Sequence, residues 1–97
     1  MSETAVEHPQ ARAVQPGDPV RVVNEQYGAH IGLVTAVHGA FSLAEGAYVP
    51  CINVVYVAAD AAKRDPYGQQ VERLSSLQHY TQGPSNMPTP GRYWENI

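Results

Sequence analysis

The chain has 97 residues and a formal net charge of −3, with six Lys and Arg against nine Asp and Glu. That length holds one domain with a small core, and an apolar share of 43% with only 15% charged residues excludes a disordered chain. The acidic balance counts against a non-specific nucleic-acid binder, which normally shows a basic face.

Cys51 is the sole cysteine, which excludes an internal disulfide and fits a reducing compartment. No apolar run is long enough to span a membrane and the start shows no signal-peptide pattern. A cytoplasmic protein with no membrane partner is expected.

Residues 1–16 show no sustained period and contain two prolines, Pro9 and Pro16; they read as an N-terminal arm, flexible unless something docks it. From Gly17 to Gly39 the chain reads strand, glycine-punctuated loop, strand. Val20-Arg21-Val22-Val23 is short and rich in β-branched residues after Pro19, and Leu33 to Val37 is a second such run. Two apolar runs around a short polar loop predict a hairpin, with Gly28, Gly32 and Gly39 as its structural glycines.

Ala40 to Pro50 carries Phe41, Leu43 and Tyr48, and three large apolar residues in such a loop predict that it folds over one end of a barrel. Cys51 to Val57 is the most apolar strand. Ile52, Val54 and Tyr56 share one face, Val55 and Val57 the other, which predicts a central strand covered at least partly on both sides. Ala58 to Pro66 is alanine-rich and predicts one or two helical turns, capped by Asp60 and stopped by Pro66. Tyr67-Gly68 then turns into two further strands, so that strands are expected near Val20–Val23, Leu33–Val37, Ile52–Val57, Gln70–Leu74 and Leu77–Tyr80. Val22, Val34, Val54 and Leu74 are expected in one core. The fold class is all-β: a small SH3-like barrel over residues 17–80, with about five short strands, one short helical turn and extended arms at both ends.

Residues 81–97 form a Pro/Gly-rich tail ending in Arg92-Tyr93-Trp94-Glu95-Asn96-Ile97. Trp94 alone can bury about 150–250 Å², so it is expected to be buried, against its own barrel or, the favoured reading, in a neighbouring molecule.

The pattern Gly17-Asp18-Pro19-Val20-Arg21-Val22, a loop, then Gly32-Leu33-Val34 resembles the KOW motif of SH3-like barrels. The resemblance implies that the glycine turns the chain sharply into the second strand, so Gly32 is expected to matter through its backbone geometry. It also implies RNA, ribosomal or transcription partners. The segment from Gly32 to Phe41 is similar to the barrel segment of nitrile hydratase β subunits, which implies an accessory or subunit-like role beside a metalloenzyme.

Among chemistry-bearing residues, His30, His38, Cys51 and His79, with Asp60 and Asp65, are metal-ligand types, but no pair has the close spacing of a zinc site. Cys51 with His38 or His79 is a conceivable thiolate pair, yet it begins the most apolar strand, where a cysteine acts as a small hydrophobe. No catalytic, cofactor or metal site is therefore expected. For nucleic acid the available cations are Arg21, Lys63, Arg64, Arg73 and Arg92, with Tyr27, Tyr67 and Tyr80 as stacking surfaces. From Gly17 to Tyr80 four basic residues face six acidic ones, and Lys63-Arg64 is flanked by Asp60 and Asp65, so only weak phosphate binding is expected.

Protein binding is favoured instead, through Tyr67 on its polar turn and through Arg92, Tyr93, Trp94 and Ile97 in the tail. The function expected is that of a non-catalytic adaptor module acting on a protein partner or a second copy. Its size and composition also suit a compact phage or mobile-element protein.

Overall fold

A computed structural model describes residues 10–24, 28–44, 48–82 and 91–97. They form five antiparallel strands: β1 (Pro19–Asn24), β2 (Gly28–His38), β3 (Cys51–Val57), β4 (Val71–Leu77) and β5 (Arg92–Glu95). The order across the sheet is β4-β3-β2-β1-β5, and the sheet curls into a half-barrel. No helix among the described residues is long and apolar enough to cross a membrane.

Period-two alternation sets the inside of the curl. Val20 and Val22 of β1, Val34 of β2, and Ile52, Val54 and Tyr56 of β3 all point inward and are buried. Leu74, Leu77, Val49 and Trp94 complete this core, so the four core residues expected from the sequence all lie in it. Phe41 packs on its margin, while Leu43 and Tyr48 stay exposed. Among the described residues of the loop before β3, Phe41, Val49 and Pro50 thus turn toward the core.

β2 begins five residues earlier than the β-branched run, because pairing with β1 carries it: Val22 faces His30 and Asn24 faces Gly28. Gly28, at φ +82°, sits where the hairpin connection enters β2. Tyr27 lies outside the described residues. Gly32 does not turn the chain. It lies inside β2 without a positive φ, and a Cβ there would stand 3.0 Å from Val22 Cγ2 and 3.3 Å from the Val55 carbonyl oxygen. Its value is close approach between strands rather than a turn.

The curl comes from two bulges, and both fall at Asn53. Opposite it β2 shifts register between Val34 and Ala36, and β4 shifts so that Ile52 faces Leu77 while Val54 faces Leu74. Ser76, at φ +52°, absorbs the second shift and donates its N–H to Asn53 Oδ1 at 2.9 Å. The same oxygen lies 2.7 Å from His38 Nε2. Bulges of this kind bend a sheet and increase its twist. They also explain why Ser75-Ser76, read from the sequence as a break, lies within a single strand.

Two expected elements are corrected. Ala58–Pro66 contains no helix: Asp60 Oδ1 takes the Ala62 N–H at 2.9 Å and Asp65 Oδ1 takes those of Tyr67 and Gln69, each at 2.9 Å. Aspartates that bind nearby N–H groups hold the chain in turns instead of a helix. Among the described residues the one helical turn is a 3-10 turn at Tyr80–Gln82. The fifth strand is likewise not Leu77–Tyr80: Leu77 ends β4, paired with Ile52, and beyond it His79 makes an isolated parallel bridge to Trp94. The fifth strand comes from the tail as β5, whose Trp94 faces Val22 of β1 and sends its N–H to the Gln78 carbonyl at 2.9 Å. The half-barrel's two edges meet there.

Trp94 is fully buried in its own chain, with Phe41 and His79 edge-on to its ring at 6.3 and 4.6 Å. The favoured placement in a neighbouring molecule is therefore overturned. A four-residue strand could not hold the tail by backbone bonds alone; the indole's burial supplies the difference. Residues 10–16 are held as well. The Asn96 carboxamide imitates a strand neighbour, accepting the Arg12 N–H at 2.7 Å and donating to the Arg12 carbonyl at 3.2 Å.

Replacing Trp94 with alanine should cost about 3–5 kcal/mol, read as a drop in the urea midpoint of the isolated chain. Gly32→Val should cost about 1–3 kcal/mol through overpacking against Val22, with Gly32→Ala milder in the same melts.

Candidate interaction surface

The outer face of the sheet is where the expectation for β3 holds only in part: the strand is central and Val55 is half-buried. Val57 is 68% exposed, and among the described residues no layer packs over it. Across this face Pro19 pairs with Leu33 and Leu33 with Val55, while Ile31 and Val57 lie two residues further along their strands, and Val57 pairs with Val71. Ile31 and Leu33 are 62% and 49% exposed. An antiparallel sheet normally turns polar side chains to water on its open face; this one shows two rows of aliphatic groups.

Polar residues border the rows. Arg21 faces Ile31, and its Nε lies 3.6 Å from a carboxylate oxygen of Glu95. Arg73 faces Val55 and holds Asp65 Oδ2 at 3.2 Å. In both pairs the carboxylate is tucked away, at 2% and 3% exposure, and the guanidinium is presented, at 49% and 61%. At the β1 side Ile97, exposed, closes a groove of about 340 Å³ with Arg21, Ala29 and Ile31.

Asp65 also builds the turn that carries Tyr67. Its accepted N–H bonds, that of Gln69 foremost, hold its carboxyl below the usual carboxylate value, with Arg73 adding to them against the cost of burial. Gly68 at φ +80° completes the turn through its N–H to the Asp65 carbonyl at 2.9 Å. Tyr67 stands at the tip, 86% exposed, on backbone that is already tied down.

Of the five residues expected to meet a partner, Ile97 thus lies at the border of this face, Tyr67 stands exposed on the turn between β3 and β4, and Arg92 is exposed. Tyr93 is half-buried against Tyr80 at 5.1 Å, and burial raises its pKa above the ordinary phenol value, with Glu95 adding. Trp94 is withdrawn into the core. The aliphatic rows themselves escaped sequence reasoning. Their signal was Ile31 and Leu33 alternating with Gly32, continued by Val55 and Val57.

Of the titratable candidates, the fold brings His38 and Cys51 together and keeps His30 and His79 apart from them. His38 pairs across strands with Cys51 while its Nε2 contacts Asn53. His30 stacks on Tyr56 at 4.7 Å beside a pocket of about 200 Å³, bordered by the Lys63–Glu72 ion pair at 2.7 Å. Asp60 and Asp65 are engaged in turns. Among the described residues no three His, Cys, Asp or Glu side chains gather as a metal site.

His79 lies in the core beside Trp94. Its Nδ1 accepts the Thr81 N–H at 3.1 Å, which places the ring proton on Nε2. Burial pushes its pKa down to about 4, against a smaller opposing pull from Glu95.

No family model, no curated protein and no solved structure matches this chain.

The buried histidine predicts an acid-side loss of stability. The unfolded chain takes up this proton near pH 6.5 and the folded one only near 4, so the imidazole's contribution is full above 6.5 and falls as the pH drops between those values. The loss should approach about 3 kcal/mol. Urea midpoints measured across that range should show it, and His79→Gln should flatten the profile.

Proposed function

We propose that the chain is a non-catalytic protein-binding module whose docking surface is the outer face of β2 and β3. The single observation behind this reading is the exposed aliphatic cluster of Ile31, Leu33 and Val57, which leaves apolar area in water that a partner would cover. Tyr67 on its tied turn adds an aromatic side chain of the type enriched among interface anchors, with little backbone order left to lose.

Enzymatic and polyanion readings draw less support. Cys51 does face His38 across β3 and β2, but His38 Nε2 is turned to Asn53 Oδ1 at 2.7 Å and His79 lies apart in the core, while Arg21, Lys63 and Arg73 each sit beside a carboxylate. A nucleic-acid partner of the KOW kind would call for a continuous cationic track, and hydrocarbon occupies the middle of this face. The adaptor role within a larger assembly, and the cytoplasmic setting, belong to the same proposal.

The test is a comparison of the intact chain with Leu33→Asp and Val57→Asp in affinity capture from the native host, followed by direct titration of whatever protein is recovered. Both substitutions sit on the open face, so the melting temperature should hold within a few degrees. Binding should weaken by tenfold or more, as expected when a charge is forced into an apolar contact. Equal binding by all three chains would sink the reading, and Leu43→Asp, on the loop before β3, serves as the exposed aliphatic control.

A further inference from the structure

Building on the reading of the outer face as a docking surface, we infer that its occupant is a short segment of a partner protein in which aliphatic residues are flanked on both sides by Asp or Glu, with Arg21 and Arg73 receiving the two carboxylates.

Size argues for a segment. The two aliphatic rows cross four strands and two residue repeats, about 19 Å by about 14 Å, or on the order of 300 Å². A stable pair of globular surfaces needs about 800 Å² from each side, so a second copy stacked on this face would lack area. A helix or strand of a few turns or residues fits it.

Charge argues for acidic flanks. Arg21 and Arg73 stand on opposite borders, on β1 and β4, and in different rows, which sets them about 16 Å apart across the hydrocarbon. In both pairs the acid is withdrawn and the guanidinium exposed, so what an occupant meets at each border is a set of N–H donors, with the charge behind it already largely balanced by the pair's own acid. Arg73 meets Asp65 through one guanidinium nitrogen, and Arg21 approaches Glu95 at a distance longer than a hydrogen bond. Each guanidinium therefore keeps N–H donors for a second carboxylate. An occupant that covered the rows without acids would strip water from these cations and return nothing, whereas a correctly spaced acidic pair restores the lost contacts. A polyanion would meet the same two cations but would lay phosphates over Leu33 and Val57, where burial of hydrocarbon gains nothing from them.

The experiment is selection of a displayed random-peptide library on the intact chain, followed by titration of synthetic versions of the enriched peptides. Enriched sequences should carry a central aliphatic group with Asp or Glu on each side. Their binding should shift the amide resonances of Ile31, Leu33 and Val57. Affinity should fall about tenfold for Arg21→Gln and for Arg73→Gln, and the fall should shrink at high salt. Amide replacements avoid placing a third acid beside Glu95 or Asp65, and a thermal melt of each variant checks its fold. Peptides that map to this face with no acidic preference would overturn the inference and leave the docking surface standing. Peptides that map elsewhere, or a failure to enrich any, would overturn both. Shifts at the same residues produced by a short RNA or by neutral phospholipid vesicles, or concentration-dependent dimers that bury Leu33, would replace the inferred occupant.

Discussion

The indole of Trp94 occupies the gap between the two edges of the curled sheet, and most of the fold's order depends on its staying there. On one side it faces Val22 of β1; on the other its backbone reaches Gln78 and its ring meets His79. Without it, β1 would be an open edge and the core of a chain this short would lose its largest member. The two residues that follow extend the effect. Asn96 draws residues 10–16 against the C-terminus, and Arg12 adds a bond from its guanidinium to the Ile97 carbonyl at 2.8 Å.

Asn53 has the complementary task of making the sheet curl enough for its edges to meet. It stands where both neighbouring strands bulge, and its side-chain oxygen satisfies the Ser76 N–H that the bulge removes from the ladder. A polar residue in the middle of an apolar strand is thus a structural requirement. Gly32, on the adjacent strand, lets Val22 and the β3 backbone approach closely. The curl gathers the inward rows into one core and leaves the outward rows of β2 and β3 with no layer over them among the described residues.

That division of labour shapes the functional reading. Asp60, Asp65 and His38 are engaged in holding turns and bulges, and His79 is sunk in the core. The outer face shows hydrocarbon on an open sheet and two guanidiniums whose acids are withdrawn, and Tyr67 stands exposed on a fixed turn. On the proposed reading these serve recognition, and the tied turn under Tyr67 leaves little backbone to order on binding.

The sequence by itself determined the all-β class, three strands close to their places, and the inward-facing set of Val22, Val34, Val54 and Leu74. Period-two alternation of β-branched residues is a local signal that survives without tertiary context. It also marked Trp94 as a residue that water would not keep. Only the tertiary structure decided where that residue went, because four residues with an aromatic centre carry no period, and their pairing partner lies some seventy positions away at β1. The bulges were hidden for a related reason: Ser75-Ser76 and Asn53 look like interruptions until the strand opposite shows that the ladder resumes past them. Alanine content pointed Ala58–Pro66 toward a helix, and two aspartate side chains competing for its N–H groups decided otherwise. The open face was the least legible feature of all. Alternation shows that a strand has two faces, and only the packing of the whole chain shows which of them is left uncovered.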